Sequence, residues 1–158
     1  MLCFLPPKPD NAPAFTLVLD LDETLIHYVE SDAVPFDTLT IEQLEADECE
    51  HIEFFIRPGV YQFLAELSQH YELVLYTAAT RDYADYFLRR IDPKNLFGEN
   101  VLTREHVKFD GYFAIKDLRL LGRDLRSTII IDNLKENFES TTPDNGIEIE
   151  NFEGSFDD

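Results

Sequence analysis

Residues 15–25 read FTLVLDLDETL, and the rest of the sequence is organised around this stretch. The run from Phe15 to Leu19 is apolar, which is typical of a strand covered on both faces. It leads into Asp20 and Asp22, whose side chains would point the same way if the strand stayed regular. Like charges this close are costly unless a cation or a shared proton relieves them, and Mg²⁺ prefers carboxylate oxygen. The alternative is an acidic, solvated turn, and the rest of the sequence is needed to choose between this turn and a metal site.

The size and composition of the chain are those of one globular domain. It has 158 residues, of which 44% are hydrophobic, enough for a single sizeable core. We predict an extended, proline-rich lead-in over residues 1–14 and one domain over residues 15–158. No apolar run approaches the ~20 residues of a membrane span, and the first residues do not resemble a signal peptide.

The charge of the chain limits its partners. A net charge of −19 argues against direct binding to nucleic acid or an anionic membrane, since both require basic patches. Part of this charge lies between Tyr28 and Ile56, a region with nine acidic residues and no Lys or Arg, which we interpret as solvated. Cys3 and Cys49 show no pairing pattern, which fits a reducing compartment. The histidines lack zinc-site spacing, and no P-loop is present.

Alternating strand and helix patterns predict an α/β fold with a mostly parallel sheet. We predict strands at 15–19, 52–56, 73–76, 128–131 and 147–149, and helices at 60–68 and between Thr80 and Pro93. A short exposed helix is expected between Ile41 and Glu48. The stretch 101–115 is interpreted as a hairpin around Asp110-Gly111.

Polar side chains follow three of the predicted strands. Asp20 and Asp22 come after the first, Thr77 comes after the strand at 73–76, and Asp132 with Asn133 comes after the strand at 128–131. In parallel sheets, ligands bind beyond the carboxyl ends of the strands. We therefore expect these side chains to form one site.

The side chains of this site suit the transfer of a phosphoryl group. Asp20, Asp22 and Asp132 offer oxygen ligands to a Mg²⁺ ion that keeps waters and accepts a phosphate oxygen. Thr77 offers a hydroxyl donor and Lys116 a positive charge, so developing charge could be neutralised. A carboxylate can act as the nucleophile and form an aspartyl-phosphate. A second one can protonate the leaving oxygen and later deprotonate water.

Four segments together resemble the motifs of the haloacid dehalogenase superfamily: DLDETL at 20–25, YTAAT at 76–80, KDLRLLGRDL at 116–125 and IIIDN at 129–133. With RPGV at 57–60, they resemble the RNA polymerase II carboxy-terminal-domain phosphatases, in particular the small-phosphatase and Dullard-like branch. The match runs from about Phe15 to Asn145. It implies a Rossmann-like haloacid dehalogenase core with a β-hairpin insertion and no large cap.

This resemblance implies a role for each catalytic residue. Asp20 would be the nucleophile and a Mg²⁺ ligand. Asp22 would be the general acid and base, with its backbone carbonyl on the metal. Thr77 and Lys116 would hold the phosphoryl oxygens.

It also implies further metal and substrate contacts. Asp132 would be the third metal ligand, and Asn133 would support the same metal shell. Tyr83 and Arg104 match positions that line a phosphopeptide groove in the family. For Tyr83 the alternative is a packing role, and for Arg104 it is a surface salt bridge.

The function implied is that of a magnesium-dependent protein serine/threonine phosphatase with an aspartyl-phosphate intermediate. Its substrate would be a phosphorylated polypeptide such as the RNA polymerase II C-terminal repeat, and its location the nucleus or cytoplasm. One alternative is a non-catalytic module like the mitochondrial import receptors, which tend to lose the nucleophile or the acid/base. Another is a small-molecule phosphatase, which the expected lack of a cap disfavours.

The sequence departs from the family pattern in three places. Leu134-Lys135 stands where the family has Ser-Pro, so we expect a different loop beside the metal. The acidic stretch from Glu30 to Glu53 is longer than in the small phosphatases and is expected to influence which substrate reaches the site. The family continues with a helix after the segment matching 152–158, so a truncated or minimal form is expected.

Overall fold

A parallel sheet is the central feature of the computed structural model, which describes residues 3–29 and 53–158. The strands are β1 (Phe15–Leu19), β2 (Ile26–Val29), β3 (Glu53–Ile56), β4 (Tyr71–Tyr76), β5 (Val101–Leu102), β6 (Lys108–Asp110), β7 (Phe113–Ile115), β8 (Thr128–Asp132) and β9 (Gly146–Glu148). The helices are α1 (Val60–Leu67), α2 (Arg81–Ile91) and α3 (Glu136–Glu139), with 3₁₀ turns at Arg104–His106, Leu118–Leu120, Leu125–Ser127 and Pro143–Asn145. The predicted α/β class is confirmed.

The order of the strands places β1 at the centre of the sheet. Within the described residues the order is β5-β4-β1-β8-β9, and all neighbours are parallel. Leu19, the last residue of β1, pairs with Leu75 on one side and with Ile131 on the other. The chain runs outward from β1 to β4 and β5 and then returns to β8. The carboxyl ends of β1 and β8 therefore form the switch point at which such sheets bind ligands.

The two faces of the sheet are covered differently. Leu17 and Leu19 of β1 pack in the cluster that contains α1 and α2, whereas Val18 points to the opposite face. Both helices lie on one face because right-handed crossovers in the same direction place them there. The opposite face is covered by the 3₁₀ turn at Leu118–Leu120, by Phe138 of α3 and by Leu5.

The helix boundaries follow local signals in the sequence. Gly59 precedes α1 with φ 83°, a left-handed conformation that favours glycine. The hydroxyl of Thr80 accepts the Tyr83 N–H at 3.4 Å and caps α2, which ends at Ile91, two residues before Pro93. No helix in the described ranges has the length and apolar character needed to cross a membrane.

Two strands were not predicted from the sequence. β2 overlaps the start of the acidic region between Tyr28 and Ile56 and pairs antiparallel with β3, burying Ile26 and Tyr28. β5 joins the central sheet beside β4 and is not part of the hairpin predicted over residues 101–115. The observed hairpin consists of β6 and β7. At two residues, β5 is too short to show any periodicity. The helix expected between Ile41 and Glu48 lies outside the described residues.

The proline-rich lead-in contacts the domain. The N–H of Phe4 donates to the carbonyl of Leu120 at 2.8 Å, and Leu5 is buried. Arg123 donates from Nη1 to the carbonyl of Pro6 at 3.0 Å. This segment packs on the sheet, and the domain boundary after residue 14 stays a prediction.

Gly146 provides a test of how tightly Phe138 packs on the sheet face opposite α1 and α2. A Cβ atom at this position would lie 1.8 Å from Cε2 of Phe138. The φ of Gly146 is −109°, which any residue adopts, so the cost of a side chain is steric. We expect Gly146→Ala to lower the free energy of unfolding by about 1–3 kcal/mol in urea denaturation, the usual cost of overpacking. The exposed Glu148→Ala on the same strand is the control, and equal effects of the two would contradict this interpretation.

Candidate active site

A tight turn carries the chain out of β1 and separates the two aspartates. The carbonyl of Leu21 accepts the N–H of Ile26 at 3.1 Å, and Glu23 has φ 58°. Non-glycine residues seldom adopt this left-handed conformation, and such exceptions are concentrated at functional sites. Because regular strand geometry ends before the turn, Asp20 and Asp22 have different partners.

The ammonium of Lys116 lies between two carboxylates. Its Nζ is 2.5 Å from Oδ1 of Asp20 and 2.6 Å from Oδ2 of Asp132. Lys116 is 1% exposed and Asp132 is fully buried, so neither charge is relieved by water. Burial alone would lower the pKa of Lys116, but Asp20 and Asp132 together raise it. The ammonium therefore stays protonated and holds the ends of β1 and β8 together.

Asp132 is fully engaged by donors from the protein. Nδ2 of Asn137 lies 3.1 and 3.2 Å from its two oxygens, and the N–H of Leu134 donates to Oδ1 at 2.9 Å. With Lys116 on Oδ2, both oxygens have protein partners. The sequence predicted Asp132 to be a metal ligand, whereas the structure places it against Lys116.

The second oxygen of Asp20 faces a different group of side chains. The hydroxyl of Thr24 lies 3.1 Å from Oδ2 of Asp20 and 3.4 Å from Oδ1 of Asn133. Nδ2 of Asn133 donates to Oδ1 of Asn151 at 3.0 Å, which leaves Oδ1 of Asn133 directed toward Thr24. Oδ2 of Asp20 and Oδ1 of Asn133 therefore both lie near the Thr24 hydroxyl, on the side of Asp20 that does not contact Lys116.

These oxygens fit a Mg²⁺ ion. No cluster of three His, Cys, Asp or Glu side chains with metal-site geometry occurs in residues 3–29 and 53–158. Mg²⁺ does not require one, since it is commonly bound by one or two carboxylates and keeps several waters. Oδ2 of Asp20 and Oδ1 of Asn133 are hard oxygen donors of the kind it prefers.

Asp22 is partly exposed and contacts helix α2 through Tyr83. Its Oδ1 accepts a hydrogen bond from the hydroxyl of Tyr83 at 2.6 Å. Burial, and then the nearby charge of Asp20, raise the pKa of Asp22 to about 8. A carboxyl group that keeps its proton near neutral pH can donate it to a leaving group.

Tyr83 does not occupy the groove position predicted for it. Its side chain is 1% exposed, and its ring packs against Phe87 with 4.7 Å between the centroids. A ring buried in this way has no face for a phosphopeptide. The structure agrees instead with the packing alternative and adds the contact with Asp22.

Thr77 follows β4, and Arg104 begins the 3₁₀ turn that follows the neighbouring strand β5. Thr77 is buried, and its hydroxyl accepts the N–H of Ala79 at 3.1 Å. Arg104 contacts the same loop, since its N–H donates to the carbonyl of Ala79 at 2.8 Å and its Nε to that of Ala78 at 2.9 Å. Within the described part of the chain Arg104 forms no ion pair, contrary to the salt-bridge alternative.

Three residues of the site were missed in the sequence. Thr24 could have been found, since it lies four positions after Asp20 within the DLDETL segment. Asn137 and Asn151 belong to no motif, and only the folded chain places them against Asp132 and Asn133.

Comparison with known proteins relates the chain to phosphatases and to a translocase. Residues 15–158 match the family described as NLI interacting factor-like phosphatase. CTD small phosphatase-like protein 2 of Dictyostelium discoideum is 36% identical over 148 residues, which cover 94% of this chain and 26% of that protein. The mitochondrial import inner membrane translocase subunit TIM50 of Debaryomyces hansenii is 34% identical over 154 residues, which cover 97% of this chain and 29% of that protein.

A solved structure shows the same fold. The fission yeast RNA polymerase II CTD phosphatase Fcp1 bound to beryllium fluoride matches with a TM-score of 0.66 and 29% identity, over 88% of this chain and 42% of that one. The chain thus spans less than half the length of each of these three proteins. It belongs to the NLI interacting factor-like phosphatases, the family of the RNA polymerase II CTD phosphatases in the haloacid dehalogenase superfamily.

Proposed function

We propose that this chain is a Mg²⁺-dependent phosphatase that hydrolyses phosphoserine or phosphothreonine in a polypeptide. The observation that carries the proposal is the buried Lys116 ammonium between Asp20 and Asp132, with Asp22 close by. A protonated amine aimed at a nucleophilic carboxylate suits an anionic phosphoryl group. The family, and relatives named as CTD phosphatases, support the same reaction.

In the proposed reaction Asp20 is the nucleophile. One of its carboxylate oxygens attacks the phosphorus, and the bond from phosphorus to the serine or threonine oxygen breaks. Lys116 and Thr77 hold the phosphoryl oxygens, and Asp22 gives its proton to the leaving oxygen. Asp22 then takes a proton from a water molecule, which hydrolyses the aspartyl-phosphate and releases inorganic phosphate.

Asp20, Asn133 and the backbone carbonyl of Asp22 would hold the Mg²⁺ ion. When bound, the ion neutralises charge on the phosphoryl oxygens. This assignment leaves Asp132 to Lys116, because both oxygens of Asp132 already accept hydrogen bonds from the protein. The role of Asp132 as a third metal ligand, which the family resemblance implies, stays a prediction that this assignment does not require.

A non-catalytic binding module is the second candidate, because the chain is also 34% identical to a translocase subunit. The presence of all three of Asp20, Asp22 and Lys116 argues against it: Lys116 contacts Asp20, and the charge of Asp20 acts on the nearby Asp22. The polymerase repeat as substrate and the nucleus or cytoplasm as location stay predictions. A small-molecule phosphatase is the third candidate, and comparison of a phosphopeptide with a small phosphate ester distinguishes it from the first.

Removal of the metal tests the proposed cofactor. We expect EDTA to abolish hydrolysis of p-nitrophenyl phosphate and added Mg²⁺ to restore it, since the site otherwise has an excess of negative charge. Mg²⁺ should also raise the melting temperature of the wild-type protein but not that of Asn133→Ala, because ligand binding stabilises the folded state. Full turnover in EDTA, with residual metal excluded by elemental analysis, would remove the metal from the mechanism.

The two aspartates should differ in their dependence on the leaving group. Asp22→Asn should slow hydrolysis of a phosphoserine peptide by ~10²–10⁴-fold, the usual contribution of a general acid. The loss should be much smaller for p-nitrophenyl phosphate, whose leaving group needs no proton. Asp20→Asn, the matched control, should abolish turnover of both. Equal losses for Asp22→Asn on the two substrates would argue against its role as the acid.

Arg104 should distinguish a polypeptide substrate from a small one. Arg104→Ala should raise the activation barrier for kcat/KM on a phosphopeptide by about 1–3 kcal/mol, as for a charge-assisted hydrogen bond. Hydrolysis of p-nitrophenyl phosphate should be nearly unchanged. Arg81→Ala removes an exposed Arg from α2 and is the control for net charge. If both variants behave alike on the peptide, Arg104 does not line a substrate groove.

A further inference from the structure

We propose that Asn137 is a positioning residue that holds the Lys116 ammonium in place beside Asp20. The inference rests on the proposed function only in that Lys116 would meet the transferred phosphoryl group. Asn137 lies in α3, five residues after Asp132, and is 5% exposed. Its side chain is bound to Asp132 and Ala114, so its effect on catalysis would be transmitted through these residues and Lys116.

Four hydrogen bonds link Asn137 to Asp132, to Ala114 of β7 and to the backbone of Lys116. Its Nδ2 donates to the two oxygens of Asp132 at 3.1 and 3.2 Å. Its Oδ1 accepts the N–H of Ala114 in β7 at 3.2 Å. Its backbone carbonyl accepts the N–H of Lys116 at 2.7 Å. One residue therefore holds the backbone of Lys116 and the carboxylate to which the ammonium is bound.

The chemistry of a carboxamide explains this arrangement. Asp132 can only accept hydrogen bonds when it is ionised, and the N–H of Ala114 can only donate one. A carboxamide has donors on one atom and an acceptor on the other, so it joins the two groups. An aspartate at position 137 would keep the acceptor but would present a second negative charge to Asp132. A leucine would fill a similar space without either hydrogen bond.

The position of Lys116 depends on these contacts because its side chain is long. Four rotatable bonds separate its backbone from its ammonium. The side chain is held at its two ends, by hydrogen bonds to the backbone and to the ammonium. Without Asn137, Asp132 would keep Lys116 and the N–H of Leu134 as partners but would lose two contacts with Nδ2. A displacement of about 1 Å in a catalytic group can cost ~10²-fold in rate.

The kinetic test uses three variants in the full chain. Asn137→Leu and Asn137→Asp should each lower kcat/KM for p-nitrophenyl phosphate by ~10- to 100-fold, the range seen when groups that orient metal ligands are removed. Asn145→Leu is the matched control. Nδ2 of Asn145 donates to the carbonyls of Leu125 at 2.6 Å and of Thr128 at 2.8 Å, at the other end of β8. This control should lose a comparable amount of stability but keep the wild-type kcat/KM per folded molecule.

A second measurement does not depend on activity. In ¹⁵N-edited NMR spectra, the buried Lys116 ammonium should exchange its protons slowly in the wild-type protein and in Asn145→Leu, and rapidly in the Asn137 variants. A wild-type protein without phosphatase activity would contradict the proposed function and leave this test intact. If leucine prevents folding, Asn137→Asp and Asn137→Ser provide the same measurement. Equal kinetic losses in Asn137→Leu and Asn145→Leu, or an unchanged Lys116 signal in the Asn137 variants, would overturn the inference.

Discussion

The buried ammonium of Lys116 is the interaction on which the rest of the site depends. It contacts Asp20 at the end of β1 and Asp132 at the end of β8, so the two central strands must end at the same level. Buried ion pairs contribute little net stability, since desolvation offsets most of the attraction. One positive charge between two negative ones also leaves an excess of negative charge. The excess negative charge suits a bound cation, as proposed for Mg²⁺, better than it stabilises the fold.

Much of the fold could be predicted because its signals are local. The apolar run before Asp20, the spacing of α1 and α2 and the turn at Asp110-Gly111 each depend on neighbouring residues. β2 and β5 were missed for the opposite reason. The two residues of β5 form a strand only because β4 lies beside them, and Ile26 and Tyr28 of β2 alternate within a polar region.

The members of the site were easier to predict than their roles. Carboxylates after parallel strands meet at one edge, which identifies Asp20, Asp22 and Asp132 as neighbours. The sequence does not reveal which of them contacts a lysine and which would be left for the proposed metal, because that depends on how the long side chain of Lys116 packs. Nor does it show that Tyr83 turns inward, since a tyrosine on an amphipathic helix can face either the core or the solvent. Asn137 and Asn151 lie outside every motif, and tertiary packing alone brings them to the site.

Arg104 is bound by two hydrogen bonds to the loop that follows Thr77. Its backbone N–H and Nε both donate to this loop, so within residues 3–29 and 53–158 the far end of the guanidinium is the part left for a ligand. Hydrogen bonds connect this end of the loop to the site, since the carbonyls of Ala78 and Ala79 accept from Arg104 and the N–H of Ala79 donates to the hydroxyl of Thr77. In the proposed phosphatase, recognition of a polypeptide by Arg104 would thus be coupled to the alignment of its phosphate by Thr77. Peptides that engage this arginine differently would differ in turnover rate as well as in affinity.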